Sequence, residues 1–237
     1  MNGKQQWPMR SGLGVAALVA AAVGVVACPA AAHGQTSDRW TLTPYATAVA
    51  PAGDYGRIAD TSTGAATGAA SGVYAAVVGR LPAAAALGAA AEYRLGDSPF
   101  SVRASGAWSF IASGEVTLDC ADQPCPAILV REELDTRVWT LTGGFAFRPD
   151  ASLWSMRPLV TLGAGVRDRS FGWTGDDVVF PAGEADHRYA VFAGSVGATR
   201  PVGPGAIALA IGGWSGRVGG ATDGYRHDVV VSLGYEF

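Results

Sequence analysis

The chain has 237 residues, 49% of them apolar and only 16% charged, with a mean hydropathy of +0.21, which excludes an intrinsically disordered protein. A net charge of −3 argues against nucleic-acid binding, which needs a basic surface. There are 33 Gly and 44 Ala but one lysine, Lys4. Beyond the first 35 residues there are neither the Glu- and Lys-coated faces of a soluble Ala-rich helical protein nor the unbroken apolar runs of a multi-span helical one.

Residues 1–34 read as a secretory signal peptide to be cleaved: a start carrying Lys4 and Arg10, an apolar run over Leu13–Ala27, and small residues from Ala30 to Gly34. Val25-Val26-Ala27 before Cys28 leaves a lipoprotein signal as a competing reading. After cleavage, 15 arginines face 20 acids, a formal charge of −5.

The mature chain, 35–237, alternates apolar and small or polar residues with period two, the signature of strands. The first predicted strand, 40–50, is interrupted by Pro44. A Gly-, Ala-, Ser- and Thr-rich connection, 50–83, follows, and Val73–Val78 within it is compatible with an extension of the second strand. Strands two and three, 84–95 and 99–110, meet at Gly96-Asp97-Ser98. In strand three Phe100, Val102, Ala104, Trp108 and Phe110 alternate with Ser101, Arg103, Ser105 and Ser109. A loop at 111–135 holds Cys120 and Cys125, which in an oxidising compartment read as a small disulfide; zinc binding lacks nearby His, and a redox motif would be Cys-x-x-Cys. Strands four and five, 136–148 and 156–168, join over Pro149–Ser155. A third long loop, 169–186, holds Asp176, Asp177, Glu184 and Asp186, whose spacing matches no EF-hand. Strands six and seven, 187–200 and 205–216, turn at Pro201–Pro204. The last strand, 225–237, has Tyr225, Val229, Val231, Leu233, Tyr235 and Phe237 on one face. Long and short connections thus alternate.

Strands of 9–11 residues cross the hydrocarbon layer when tilted, and they survive there only in a closed barrel, because lipid satisfies no backbone hydrogen bonds. A soluble barrel would carry its charges outside and its apolar face inside. Here the polar-face positions are mostly Gly, Ala, Ser and Thr, too small to coat a soluble surface and suited to a narrow lumen. The fold expected is all-β, an eight-stranded antiparallel up-and-down transmembrane β-barrel, with both termini in the periplasm and four loops outside.

The strand and loop rhythm and the ending Val231-Ser-Leu-Gly-Tyr-Glu-Phe237 resemble the small eight-stranded outer-membrane barrels of diderm bacteria, the group of the OmpA transmembrane domain and OmpX. The resemblance implies that Tyr235 and Phe237 form the signal read by the barrel-assembly machinery. It implies location in the bacterial outer membrane, with periplasmic chaperones as partners during biogenesis and lipopolysaccharide and outer-membrane lipid afterwards.

Charges predicted to face the lumen are Glu92, Arg94, Arg103, Arg167, Arg226, Asp228 and Glu236, and burial should drive them to pair. The expected role is non-enzymatic: structural or surface interaction through the loops, by a monomer with no cofactor, no metal and no nucleic-acid partner. A narrow ion or small-solute channel is the first alternative. A lipid A-modifying enzyme is the second, with His187 and His227 as candidate bases. Neither is followed two residues later by Ser, as the deacylase pattern requires; Tyr189 and Val229 stand there.

Overall fold

The structure is a computed structural model that describes residues 39–52, 56–62, 73–78, 81, 83–120, 131–173, 183–218 and 224–237. The signal segment, Cys125, Asp176 and Asp177 lie outside the described residues. Among the described residues every regular element is a strand: β1 (Trp40–Ala52), β2 (Gly56–Ser62), β3 (Val73–Val78), β4 (Ala84–Arg94), β5 (Phe100–Cys120), β6 (Arg131–Phe147), β7 (Arg157–Trp173), β8 (Gly183–Val202), β9 (Gly205–Val218) and β10 (Gly224–Glu236).

Eight of these close a barrel. From β4 to β10 they pair in chain order, and β1 fills the remaining seam between β4 and β10, all antiparallel. The seam is long: Trp40–Val49 pairs with Ala84–Tyr93, and Tyr45–Ala52 pairs with His227–Gly234. β2 and β3 form a hairpin whose β3 pairs with the upper part of β5, from Tyr74 opposite Cys120 to Val78 opposite Val116. It continues the line of β4 beyond the membrane, so the connection expected at 50–83 contains two strands.

Within the apolar belt the alternation has one orientation. Leu87, Trp108, Leu141, Phe145, Leu162, Phe192, Leu209, Ile211 and Val231 point outward and are exposed, Leu162 at 67% and Phe192 at 72%. A soluble protein would not leave such a continuous apolar belt in water; hydrocarbon is its natural solvent. Around the middle of the lumen many inward positions are small or hydroxylic, and the hydroxyls meet across strands: Ser105 with Thr142 (2.7 Å), Thr161 with Ser195 (2.7 Å), and Ser232 donating to Thr47 (3.1 Å). Thr47 in turn donates to the Val231 carbonyl (2.9 Å).

Two inward glycines permit close approaches. A Cβ on Gly88 would sit 2.5 Å from the Tyr45 ring, which lies across it and donates its hydroxyl to the Gly106 carbonyl at 3.1 Å. A Cβ on Gly165 would fall 1.9 Å from the Leu141 carbonyl oxygen.

One end has short turns, at Leu95–Pro99, between β6 and β7, and at Gly203-Pro204, together with both described termini. Trp154 and Ser155 there adopt positive φ (52° and 62°) between the paired Leu153 and Met156, the backbone of a two-residue hairpin turn. At the other end the strands run beyond the expected boundaries. β5 continues to Cys120 and β6 begins at Arg131, so much of the loop expected at 111–135 is strand; β7 reaches Trp173 and β8 starts at Gly183, which does the same to 169–186. A register shift between Ser109 and Ala112 breaks the alternation where β5 leaves the apolar belt. Above it the sequence turns polar, which without pairing information reads as loop.

Candidate functional site

Alternation aims one residue in two at the lumen, so charges on neighbouring strands meet there in tiers. The lower tier lies near the short-turn end. Glu92 of β4 is paired with Arg103 of β5. Arg148, just beyond β6, reaches back to Glu92 (Nε at 3.1 Å and Nη2 at 2.9 Å from Oε2) and to Glu236 of β10 (Nη2 at 2.7 Å, Nη1 at 3.1 Å). Two carboxylates and two guanidiniums therefore neutralise one another across the barrel.

The upper tier joins β7 and β10. Asp228 Oδ2 lies 2.6 Å from Arg167 and 3.5 Å from Arg169, all three side chains being buried. The Arg167 guanidinium also lies over the Trp214 ring, 4.6 Å from its centroid. Between the tiers is a hydroxyl-lined cavity of about 110 Å³ bordered by Ser105, Thr142, Thr161 and Ser195, room for a few waters. Above, Leu81 from the segment before β4 is buried beside Val49, Ala86 and Val138, and about 30 Å³ remains.

Five of the seven lumen charges expected from sequence thus fall into these two tiers: Glu92, Arg103 and Glu236 below, Arg167 and Asp228 above. Arg226 is half-buried and donates to the Tyr225 carbonyl (3.2 Å). Arg94 departs from the expectation: it is the last residue of β4, and its side chain is exposed at the rim. The sequence reading missed Arg148 and Arg169. Both were detectable from parity: Arg148 is the last residue of the predicted strand 136–148, in phase with inward Thr140 and Thr142, and Arg169 continues the inward phase of Arg167 one residue past the predicted end at 168.

Asp168 and Arg188 form a further pair on the outward face, Arg188 Nε and Nη2 each lying 2.8 Å from Asp168 Oδ2. The Arg188 guanidinium lies 5.7 Å from the Trp139 ring centroid. Glu184 and Asp186 are exposed and stand on β8 rather than in a loop. Among the described residues no group of three or more His, Cys, Asp or Glu is arranged to hold a metal.

The two histidines occupy opposite faces of the wall. His187 faces inward, edge-on to Phe171 (5.5 Å); His227 faces outward, stacked on Tyr225 (6.4 Å). Their neighbours Asp186 and Asp228 point the other way in each case, so neither adjacent acid can orient its histidine as a catalytic dyad would need. At the carboxyl end, Tyr235 donates to the Val202 carbonyl (2.8 Å) and packs edge-on against Phe237 (4.8 Å). The Phe237 N–H donates to the Leu42 carbonyl at 2.9 Å, so this residue also helps close the seam. Cys120 ends β5.

No family model matches the sequence, and no curated protein matches it. Solved structures do match. Ail, the attachment invasion locus protein of Yersinia pestis, aligns with a TM-score of 0.50 at 11% identity, covering 85% of this chain and all of that one. Neisserial surface protein A (NspA) aligns at 0.49 and 10% identity over 83% of this chain and 95% of its own. A major outer membrane protein of Thermus thermophilus aligns at 0.45 and 11% over 82% and 98%. At such identities the likeness is one of fold: a closed eight-stranded antiparallel barrel of the outer-membrane type.

Proposed function

We propose that this chain, an eight-stranded barrel of the bacterial outer membrane, is a non-enzymatic surface module whose contact region is the sheet raised above the membrane by β5–β8 and the β2–β3 hairpin. One observation carries the reading: the strands do not stop where the apolar belt stops. From Ser109 to Cys120, β5 runs 11 residues further, about 36 Å along the strand at roughly 3.3 Å per residue. An anchor needs no such superstructure, and a channel gains nothing from it. The charged tiers support the same reading, because they fill the lumen with paired groups and leave the exterior sheet as the part able to meet other molecules.

The Yersinia barrel Ail was crystallised with the heparin analogue sucrose octasulfate, which supplies a first probe for this chain. The test is to join β5 to β6 by an Asn-Gly turn between Ser113 and Asp135, which face each other in the register, and so remove the raised parts of β5 and β6, with the edge on which β3 pairs, while keeping the membrane pairs. Cells displaying the full chain are expected to retain heparin or other extracellular polysaccharides and matrix proteins, and cells displaying the shortened chain to lose that retention. Equal retention by both, or none by the full chain across the panel, overturns the reading.

A further inference from the structure

We propose that the upper lumen binds a small monovalent anion of halide size, held beside Arg167 and Arg169 in the cavity between β7 and the facing wall of β1, β4 and β5. The inference concerns the interior of the barrel and does not rest on the contact role of the raised sheet.

The two lumen cavities differ in the charge of their walls. The lower one, of about 110 Å³, is bordered by both signs, Arg103 and Glu236, with hydroxyls between them. Water suits such a lining, since it donates and accepts equally well. The upper one, of about 30 Å³, is bordered by Arg167, Arg169 and the hydroxyls of Ser109, Thr136 and Thr140. Among the described residues no carboxylate borders it. Trp214 borders both cavities, so its indole stands between them.

The strand register builds the upper wall. Thr140 stands opposite Arg167 and Val138 opposite Arg169, all four on the inward face. Ser109 stands opposite Val138 and donates its hydroxyl to the Val138 carbonyl at 3.2 Å. Thr136 is different. It is 4% exposed, and its Oγ1 meets no hydrogen-bond partner among the described residues. Folded proteins rarely leave a buried hydroxyl unused, and this one borders a space beside two cations. Most of the remaining wall is apolar, with Val49, Leu81 and Val138 all buried. In such surroundings a cation attracts an anion far more strongly than it does in water.

Arg167 and Arg169 both reach Asp228 at the same oxygen, Oδ2, at 2.6 and 3.5 Å. A guanidinium spreads five N–H groups around a planar fork, so serving a carboxylate on one edge is compatible with holding an anion on another. The volume then sets the size of the occupant. About 30 Å³ takes one particle the size of a water or little more. Chloride and bromide meet that limit, and sulfate and gluconate exceed it. A water would accept from the same donors but would bring no negative charge to a space walled by two cations. The anion ties Thr136 of β6 to the arginines of β7, and mass action then links the stability of the barrel to halide concentration.

The experiment uses the full chain refolded in an uncharged detergent. The midpoint of the heat-modifiable transition is followed over rising sodium chloride, with sodium gluconate holding the ionic strength constant, and the chlorine NMR line width reads binding directly. The midpoint is expected to rise by several degrees and to level off as the site saturates. Bromide is expected to replace chloride, and sulfate to have no such effect. Thr136→Val, which keeps the volume and removes the donor, is expected to need about tenfold more chloride for the same rise. Thr136→Ser should respond as the parent does. Thr142→Val, which removes a hydroxyl of the lower cavity, should leave the chloride response unchanged. Should Thr136→Val lose its heat-modifiable gel shift, Ala107→Val, which puts methyl groups into the upper cavity, is expected to abolish the response. A midpoint and line width that do not distinguish chloride from gluconate overturn the inference and mark water as the occupant. An equal response to sulfate, or an unaltered response in either folded cavity variant, also overturns it and marks an effect of salt at the surface. None of these outcomes touches polysaccharide retention by the raised sheet, so the two proposals fail separately.

Discussion

Glu92 and Glu236 stand on β4 and β10, with β1 between them, and a single guanidinium, that of Arg148, holds both at 2.9 and 2.7 Å. Two buried carboxylates so close to one another are tolerable because that cation lies between them. Replacing Arg148 by Ala should therefore destabilise the barrel by about 2–4 kcal/mol, the usual range for stranding a buried charge. The midpoint of the heat-modifiable transition in detergent reports it. Adding Glu236→Gln to that variant, which keeps the Glu92–Arg103 pair intact, is expected to recover most of the loss; no recovery would mean that packing, not charge, is what Arg148 provides.

Asp228 serves two arginines. Asp228→Asn is expected to leave Arg167 and Arg169 repelling one another in the upper lumen and to raise single-molecule conductance in planar bilayers, with anions favoured over cations. An unchanged current would show that Leu81 and Trp214, rather than the ion pairs, seal that level of the barrel.

Gly165 faces the lumen with a carbonyl oxygen 1.9 Å from where a Cβ would stand. Ala there must push β7 from β6, a backbone shift costing about 1–3 kcal/mol. Gly143, whose Cβ would meet nothing within 4 Å, serves as the paired control and should accept Ala with little change. Chemical denaturation of the refolded variants separates the two.

Tyr235→Ala and Phe237→Ala should lower the amount of protein reaching the outer membrane several-fold in cells. Loss of the aromatic pair and of the seam contact should have a smaller effect on refolding into detergent, where no assembly machinery reads the terminus. Equal losses in both settings would assign these residues to stability alone.

For the cysteines, thiol labelling of the unreduced, unfolded chain is expected to leave Cys120 and Cys125 unmodified, and reduction to expose both. Labelling before reduction would refute the disulfide.

The membrane-spanning half of the fold is legible in the sequence because there every second residue meets lipid, and hydrocarbon selects strictly. Phe100, Val102 and Trp108 could stand nowhere else. Above the belt, Glu115-Val-Thr-Leu-Asp-Cys120 still alternates, but the run is short, follows Gly114, and is put out of phase with the membrane part by the shift between Ser109 and Ala112. Only its pairing with β3 and β6 reveals it as strand. The charge tiers were legible in part for a related reason. Parity names the inward residues of a strand, Arg148 among them at the last predicted position, but β6 itself ends at Phe147 and Arg148 acts by reaching back to Glu92 and Glu236, partners that parity alone does not supply.

The seam imposes an order in time. β1 leaves the ribosome first among the strands, yet half of its hydrogen bonds go to β10; Thr47 bonds the carbonyl of Val231 from 184 positions away. No shorter loop can close the ring, and the entropy of so long a closure is recovered only when the last dozen residues arrive. Until then the nascent wall has two raw edges and an oily flank, and must be escorted across an aqueous space. Sealing is thus a final, cooperative event, and a chain clipped even slightly at its end should remain an unfinished curl and never become a smaller vessel.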